Sequence, residues 1–318
     1  MLSRVAERIY WLGRYMERCE SSARLVNVNT KLLLDLPRGV RVGWGTLVDI
    51  SGGTEYFQKD ADLADERAVM RFMLSDTANP SSIKNSIGFA RENARITREI
   101  MPSEVYELIN DLYWYLDEHL SKGGARRERH VLLETVIEKV QQFTGMLAGC
   151  MSQSDAYRFI QLGRNLERAD MTSRIVDVGA RRILEPAAKD DDTSEPFENI
   201  LWMSVLRSLS GFQMYRQHVQ DRINAEDVVT FLFQDKSFPR SVEHCLGEVA
   251  DCFARLPNSE DATSLLAGVR RRIKLAQFAE LIDQGNLHEY IDAVQTDVAE
   301  THKVIAATWF LPVVQSAP

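Results

Sequence analysis

Two stretches of the chain carry arginine and glutamate at a spacing that could do chemistry. In 12–28, LGRYMERCESSARLVNV, residues Arg14, Glu17, Ser21 and Arg24 step by three, four and three, which puts them on one face of a helix. In 162–178, LGRNLERADMTSRIVDV, the same steps give Arg164, Glu167, Met171 and Arg174, and Asp177 continues the stripe. Arg18 and Arg168 lie about 100° round from the two glutamates at ~3.6 residues per turn. Glu20 and Asp170 stand four residues before Arg24 and Arg174. Groups of this kind can form a buried ionic network, or recognise a carboxylate or phosphate through guanidinium donors.

The two stretches align without a gap and share Leu, Gly, Arg, Glu, Arg, Arg, Val and Val. A second pairing follows in the same order, 69–88 against 228–247, sharing Val, Phe, Asp, Pro, Ser and Gly. A fainter third sets His130, Val136 and Val140 against His288, Val294 and Val298. Collinear matches over so long a period point to two repeated halves, about 1–151 and 152–318, rather than a solenoid. Such halves pack about an approximate two-fold axis with their shared residues along the seam. Exposed i,i+4 ion pairs, worth only ~0.2–0.5 kcal/mol each, should drift apart between copies. The repeated Arg, Glu, Arg and Arg therefore predict a buried or cleft-lining network, with Glu17 and Glu167 each bonded to at least one arginine. Burial alone is compatible with a network that only specifies packing.

A third charged run, 91–98, places Arg91, Arg95 and Arg98 on one face, with Asn85 and Gly88 on the same side and Asn93 inside the run. This is either an arginine cluster for an anion or a solvated face partnered by Glu92 and Glu99. Pro80 and Pro239 sit where helices would begin, Asn79 is the expected N-cap of the first, and Asp76 and Asp235 precede the prolines by four residues. A shared capping turn accounts for this pattern; the other reading has Arg240, beside its helix N-terminus, helping to hold an anion.

The elements that must position these groups are helices. Apolar residues recur at three and four, as in Ile9, Leu12, Met16 and Cys19 or Leu132, Val136, Val140, Phe143 and Leu147, and strand-like alternation is nearly absent. The fold class is all-α, an internally duplicated multi-helix bundle with pseudo-two-fold symmetry, forming a single domain over 1–318. The helices are expected at 2–35, 62–75, 80–101, 103–121, 126–151, 155–185, 196–222, 226–234, 239–256, 260–284 and 287–310. Pro37–Gly53 reads as a loop, partly extended at Thr46–Ile50, and Pro186–Pro196, with its three aspartates, as a solvated connector.

With 318 residues, 45% apolar and 26% charged, the chain can bury a core without disulfides or metals. Its formal charge of −8 argues against a general nucleic-acid or anionic-membrane binder, which depends on clustered cations. Cys19, Cys150, Cys245 and Cys252 form no C-x-x-C pair, no leader-like apolar run is visible and no stretch reaches the ~18 apolar residues of a spanning helix, so a soluble cytoplasmic protein is expected. No phosphate-binding loop, G-x-S-x-G or metal-type histidine spacing occurs, so neither cofactor nor metal is predicted. Cys19 and Cys150 fit helix core positions, and Cys245 and the adjacent His244 point ~100° apart.

The opening MLSRVAERIYWLGRYMERCESSARL, together with NPSSIKNSIGFARENARITREI, FIQLGRNLERADMTSRIVDV and FLFQDKSFPRSVEHCL, resembles the bacterial alpha-E family, all-helical proteins named for their Glu-Arg motifs. The resemblance runs from Met1 to about Phe310, with Arg8 and Cys19 standing where Asn and Ala are expected. It maps the family pattern onto Arg14, Glu17, Arg18, Arg24, Asn85, Arg91, Glu92, Asn93, Arg95, Arg164, Glu167, Arg168, Asp170, Arg174, Pro239, Arg240 and Ser241. It also implies partners: a circularly permuted ATP-grasp protein, often with a transglutaminase-like peptidase, in a system that makes or modifies a peptide or amide bond. Two function classes follow. One is a non-catalytic helical partner that presents an acidic or peptide substrate; the other is a ligase or transferase component using Glu17 or Glu167 as base. Flanking arginines disfavour the second, since they lower a carboxylate pKa.

Overall fold

Apolar periodicity resolves into helices throughout a computed structural model of the protein, which describes residues 2–35, 43–57, 63, 65–121, 126–184, 198–219 and 222–310. The chain is all-α, and no strand occurs among the described residues. The helices are α1 (Ser3–Asp35), α2 (Gly45–Ser51), α3 (Glu66–Leu74), α4 (Ile83–Ile96), α5 (Ser103–Ser121), α6 (Arg126–Cys150) and α7 (Asp155–Leu184). They continue with α8 (Glu198–Ser208), α9 (Phe212–His218), α10 (Ala225–Gln234), α11 (Val242–Phe253), α12 (Glu260–Leu275), α13 (Phe278–Asp283) and α14 (Leu287–Ile305). A π-helical turn, Ala306–Phe310, extends α14. No described helix is long and apolar enough to cross a membrane.

The two long Glu-Arg helices form the centre. α1 buries Ile9, Leu12, Met16, Cys19, Ala23 and Val26, and α7 buries Ile160, Leu162, Leu166, Ala169, Ile175 and Val176, so each is enclosed on most of its circumference. They cross at Gly13 and Gly163. A Cβ placed on Gly13 would collide with the Ile160 carbonyl oxygen, and one on Gly163 with the Tyr10 carbonyl oxygen, so the backbones touch where side chains are missing. α4 and α6 pack on α1; α11 and α14 pack on α7.

Aligned positions make matching local contacts. Ser82 caps α4 by accepting from the Asn85 amide N–H, and Ser241 caps α11 by accepting from that of His244. The Asn85 side chain donates to the Thr77 carbonyl at 3.1 Å, and His244 Nδ1 meets the Lys236 carbonyl at 2.9 Å. His130 Nδ1 lies 2.8 Å from Asn27 Oδ1, and His288 Nδ1 lies 2.7 Å from Asp177 Oδ1.

Several boundaries depart from the periodicity. Thr46–Ile50 is helical rather than extended, because turning it into α2 buries Leu47, Val48 and Ile50 and lets Gly52, at φ +66°, close the turn. The 196–222 segment breaks into α8 and α9 at Ser210, whose φ of 55° ends the helix while its hydroxyl takes a bond from Arg24. The 260–284 segment breaks after Leu275, where the Gln234 side chain donates to the freed Ile273 and Ala276 carbonyls. Asn79 does not cap α4; its oxygen accepts from the Ser81 N–H one turn earlier and its amide donates to the Phe72 carbonyl. Cys150 is exposed at the end of α6, whereas Cys19 is buried. The connector Pro186–Pro196 lies outside the described residues.

Candidate anion-binding seam

Where α1 and α7 cross, their carboxylates and guanidinium groups exchange across the interface. Glu167 accepts from Arg14 Nε at 2.6 Å and from Arg18 Nε and Nη2 at 2.6 and 3.1 Å. Glu17 accepts from Arg168 Nε and Nη2 at 2.9 and 2.6 Å and from Arg240 Nη1 at 2.8 Å. Both glutamates are only 1% exposed. Burial alone would raise each carboxyl, but the guanidinium groups outweigh it. Arg168 and Arg240 hold Glu17 far below the carboxylate range, and Arg14 and Arg18 bring Glu167 to about 2.

The network extends along both helices. Glu20 takes Arg24 through Nε and Nη2 at 2.8 and 2.7 Å and Arg240 Nη2 at 2.7 Å, and Asp170 takes Arg174 Nε at 3.0 Å. Arg240 thus reaches back from the loop before α11, and the anions it holds are the protein's own Glu17 and Glu20. Spacing alone makes Glu20 a local partner of Arg24; its bond to Arg240 depends on a fold that brings residues 220 apart together.

Arg164 stands apart. It is largely buried and its Nε is shut off from solvent with no hydrogen-bond partner. Both Glu17 oxygens are already engaged by Arg168 and Arg240. Burial and then the neighbouring Arg168 lower the Arg164 pKa and outweigh the opposing pull of the Glu17 and Glu20 carboxylates, which lie near it without a hydrogen bond.

The helix α4 residues do not join this seam. Arg91 donates to Asn110 at 2.8 Å and lies over the Tyr113 and Trp114 rings at 4.7 and 5.4 Å, toward α5. Arg95 pairs with Glu92 in solvent, and Arg98 is exposed. The one-face cluster therefore fails: a shift of α4's buried stripe onto Ile83, Ser86, Ile87, Ala90 and Ala94 turns Arg91 sideways and sends the other two outward. Asn85 serves its capping turn, and Asn93 accepts from Arg8 at 3.4 Å.

Aromatic groups absent from the sequence-based candidates wall the Arg14 side. Arg14 lies 5.5 Å from the Trp11 ring and 6.0 Å from that of Tyr10, while Trp11, Tyr15 and Phe89 follow one another at 5.3 and 5.2 Å. Arg14 Nη1 donates to the Tyr10 hydroxyl at 3.2 Å, and that hydroxyl in turn lies 2.9 Å from His302 Nδ1. Burial and the Arg14 charge lower His302 to about 4, so the ring that meets the Tyr10 hydroxyl is neutral. Gly13 and Gly163 were visible as shared letters; a glycine in the middle of a strong helix costs ~0.5–1 kcal/mol relative to alanine, and that cost was the sign of a close crossing. Among the described residues, no three His, Cys, Asp or Glu side chains gather as metal ligands would.

An all-helical protein whose two central helices exchange glutamate–arginine pairs across a glycine crossing is the class that fold and seam define. The chain belongs to the Alpha-E family, described as a predicted alpha-helical domain with a conserved ER motif, whose model matches residues 1–310. No curated protein and no solved structure matches it.

Proposed function

We propose that the protein is a helical accessory partner in an ATP-grasp-dependent system that makes or modifies a peptide or amide bond, and that its seam takes a carboxylate or phosphate of substrate or partner. The observation that carries this reading is the charge count at the seam. Arg14, Arg18, Arg24, Arg164, Arg168, Arg174 and Arg240 face Glu17, Glu20, Glu167 and Asp170, seven cations against four anions in a chain of net −8. A local positive excess in a partly desolvated site attracts anions over a Debye length of ~8 Å whatever the distant charge.

An enzyme that uses Glu17 or Glu167 as a base is the weaker reading. Both carboxylates are saturated with guanidinium donors and stay ionised to very low pH, leaving them little tendency to take a proton. The proposal also treats the chain as one unit of two related halves; the aligned capping turns and the Asn27–His130 and Asp177–His288 contacts support it. It takes the compartment to be the cytoplasm, in keeping with four free cysteines.

The test is reconstitution with a circularly permuted ATP-grasp protein of the same genome, and with a transglutaminase-like peptidase. Co-elution, together with amide-bond formation that needs both proteins, is the expected result. An ATP-grasp protein fully active alone and never co-eluting overturns the partner reading. ATP-dependent product from the helical protein alone favours the enzyme.

A further inference from the structure

Tyr157, Gln161, Arg164 and Arg168 step by four, three and four along α7 and share one face of it. Arg168 is spent on Glu17. The side chains of the other three have no hydrogen-bond partner among the described residues, although Gln161 is 8% exposed and the Arg164 Nε is fully enclosed. Tyr157 precedes Arg164 by seven residues, about two helical turns, on this face. The face thus runs from a half-buried phenol, past the amide tip of a largely buried glutamine, to a guanidinium edge whose Nε has no hydrogen-bond partner.

Resting on the anion-binding reading above, we propose that Arg164, with Gln161 and Tyr157, is the site for a substrate carboxylate. An enclosed N–H on a cation is left unsatisfied at a cost of ~1–3 kcal/mol or more, which a ligand oxygen would relieve. Arg164 offers one planar edge and its neighbours offer neutral donors, so the site carries a single free positive charge. That suits a planar monoanion held by two N–H bonds rather than a phosphate dianion. The other seam arginines are already matched to internal carboxylates or, for Arg24, also to Ser210.

The experiment uses the isolated full chain, thermal shift and calorimetric titration, with acetate, N-acetyl-dialanine, its C-terminal amide and inorganic phosphate as probes. The two carboxylates should raise Tm and the amide should not. Arg164→Gln should abolish the shift with the circular dichroism spectrum unchanged, and Arg164→Lys should restore part of it. Tyr157→Phe combined with Gln161→Leu, which leaves every seam ion pair in place, should weaken binding by about tenfold, as loss of two neutral hydrogen bonds implies. The proposal is overturned by no shift with either carboxylate, by a shift that survives Arg164→Gln, or by phosphate acting as strongly as acetate. If Arg164→Gln does not fold, unweakened binding by the Tyr157/Gln161 double variant overturns it equally. Because the partner is absent, failure here leaves co-elution with the ATP-grasp protein untouched, and failure to co-elute leaves this site standing.

Discussion

The two glutamates at the crossing hold aligned places in the sequence and solve the same problem with different surroundings. Glu167 is held entirely by α1, through Arg14 and Arg18, and those guanidinium groups rest on aromatic rings: Tyr10 and Trp11 for Arg14, Tyr15 for Arg18. Glu17 is held by Arg168 of α7 and by Arg240 from the loop before α11, while Arg164, aligned with Arg14, is left out. The position aligned with Arg240 is Ser81, which has no guanidinium to reach the seam. One side is therefore closed, paired and aromatic; the other carries a spare cation beside a polar face. Pairing on one side leaves no guanidinium nitrogen enclosed and unbonded; on the other, the Arg164 Nε is.

The largest effect should come from removing a carboxylate. Glu17→Ala strands Arg168 beside the already unpaired Arg164 and leaves Arg240 with Glu20 alone, a desolvated cluster of like charge, and should cost ~3–5 kcal/mol in denaturant unfolding. Glu167→Ala should cost less, because Arg14 and Arg18 keep their contacts with aromatic faces, each worth ~0.5–2 kcal/mol. Equal losses would mean that the aromatic side confers no advantage and that the contrast is only geometric.

Gly163→Ala comes next. The added methyl would meet the Tyr10 carbonyl, a backbone atom that cannot swing aside, so the helices must separate. A loss of ~1–3 kcal/mol is expected, with Gly13→Ala the same within error because the two glycines contact each other's helices reciprocally. A wide disparity between them would show that the crossing is not equivalent on its two sides. Replacing Gly145, where a Cβ meets nothing, provides the control and should slightly stabilise α6.

Helix class and the seam pair Glu17 and Glu167 were legible because amphipathic period and internal repetition both act over many residues. The exclusion of α4's arginines was not. Arg91, Arg95 and Arg98 lie near one another on a helical wheel, but their neighbours are fixed by which stripe packs on α1, and Ala90 and Ala94 took that place. The α8–α9 break had a sign, the pair Ser210-Gly211, but the apolar run on either side of it reads as one helix, and Ser210 enters the left-handed region with Arg24, far away in sequence, bonded to its hydroxyl. Glu20 to Arg240 and Tyr10 to His302 are likewise tertiary, so composition and spacing carry no trace of them.

The aromatic side should also respond to pH through His302. Burial, reinforced by Arg14, lowers its pKa from 6.5 to about 4 in the folded chain. Between those values the unfolded chain binds a proton that the folded chain refuses, so stability is full above about 6.5 and falls as pH drops toward 4. His302→Asn supplies a carbonyl oxygen as acceptor for Tyr10 but does not titrate. The variant should keep its Tm at neutral pH and show a flatter Tm profile from pH 6.5 to 4. Glu167 adds a separate loss at lower pH, from its ordinary 4.5 down to about 2, which the variant should retain. A profile unchanged by the substitution would move the pH sensitivity elsewhere.

The smallest stability change separates the aligned arginines most sharply. Arg14→Gln removes a charged hydrogen bond to Glu167 at 2.6 Å and should cost ~1.5–3 kcal/mol. Arg164→Gln removes a cation that has no bond to lose and whose burial is unfavourable, as its lowered pKa reflects. Replacing it with a neutral amide removes its burial cost and its repulsion with Arg168, which outweigh the lost attraction to Glu17 and Glu20, so Tm should stay level or rise. A structural arginine gives up stability when removed; one held for a ligand gives up binding and leaves stability intact, the trade expected where an unsatisfied group is retained at a site. If Arg164→Gln destabilises the chain as much as Arg14→Gln, the two sides of the crossing are equivalent after all, and the surplus charge at the seam is part of the packing.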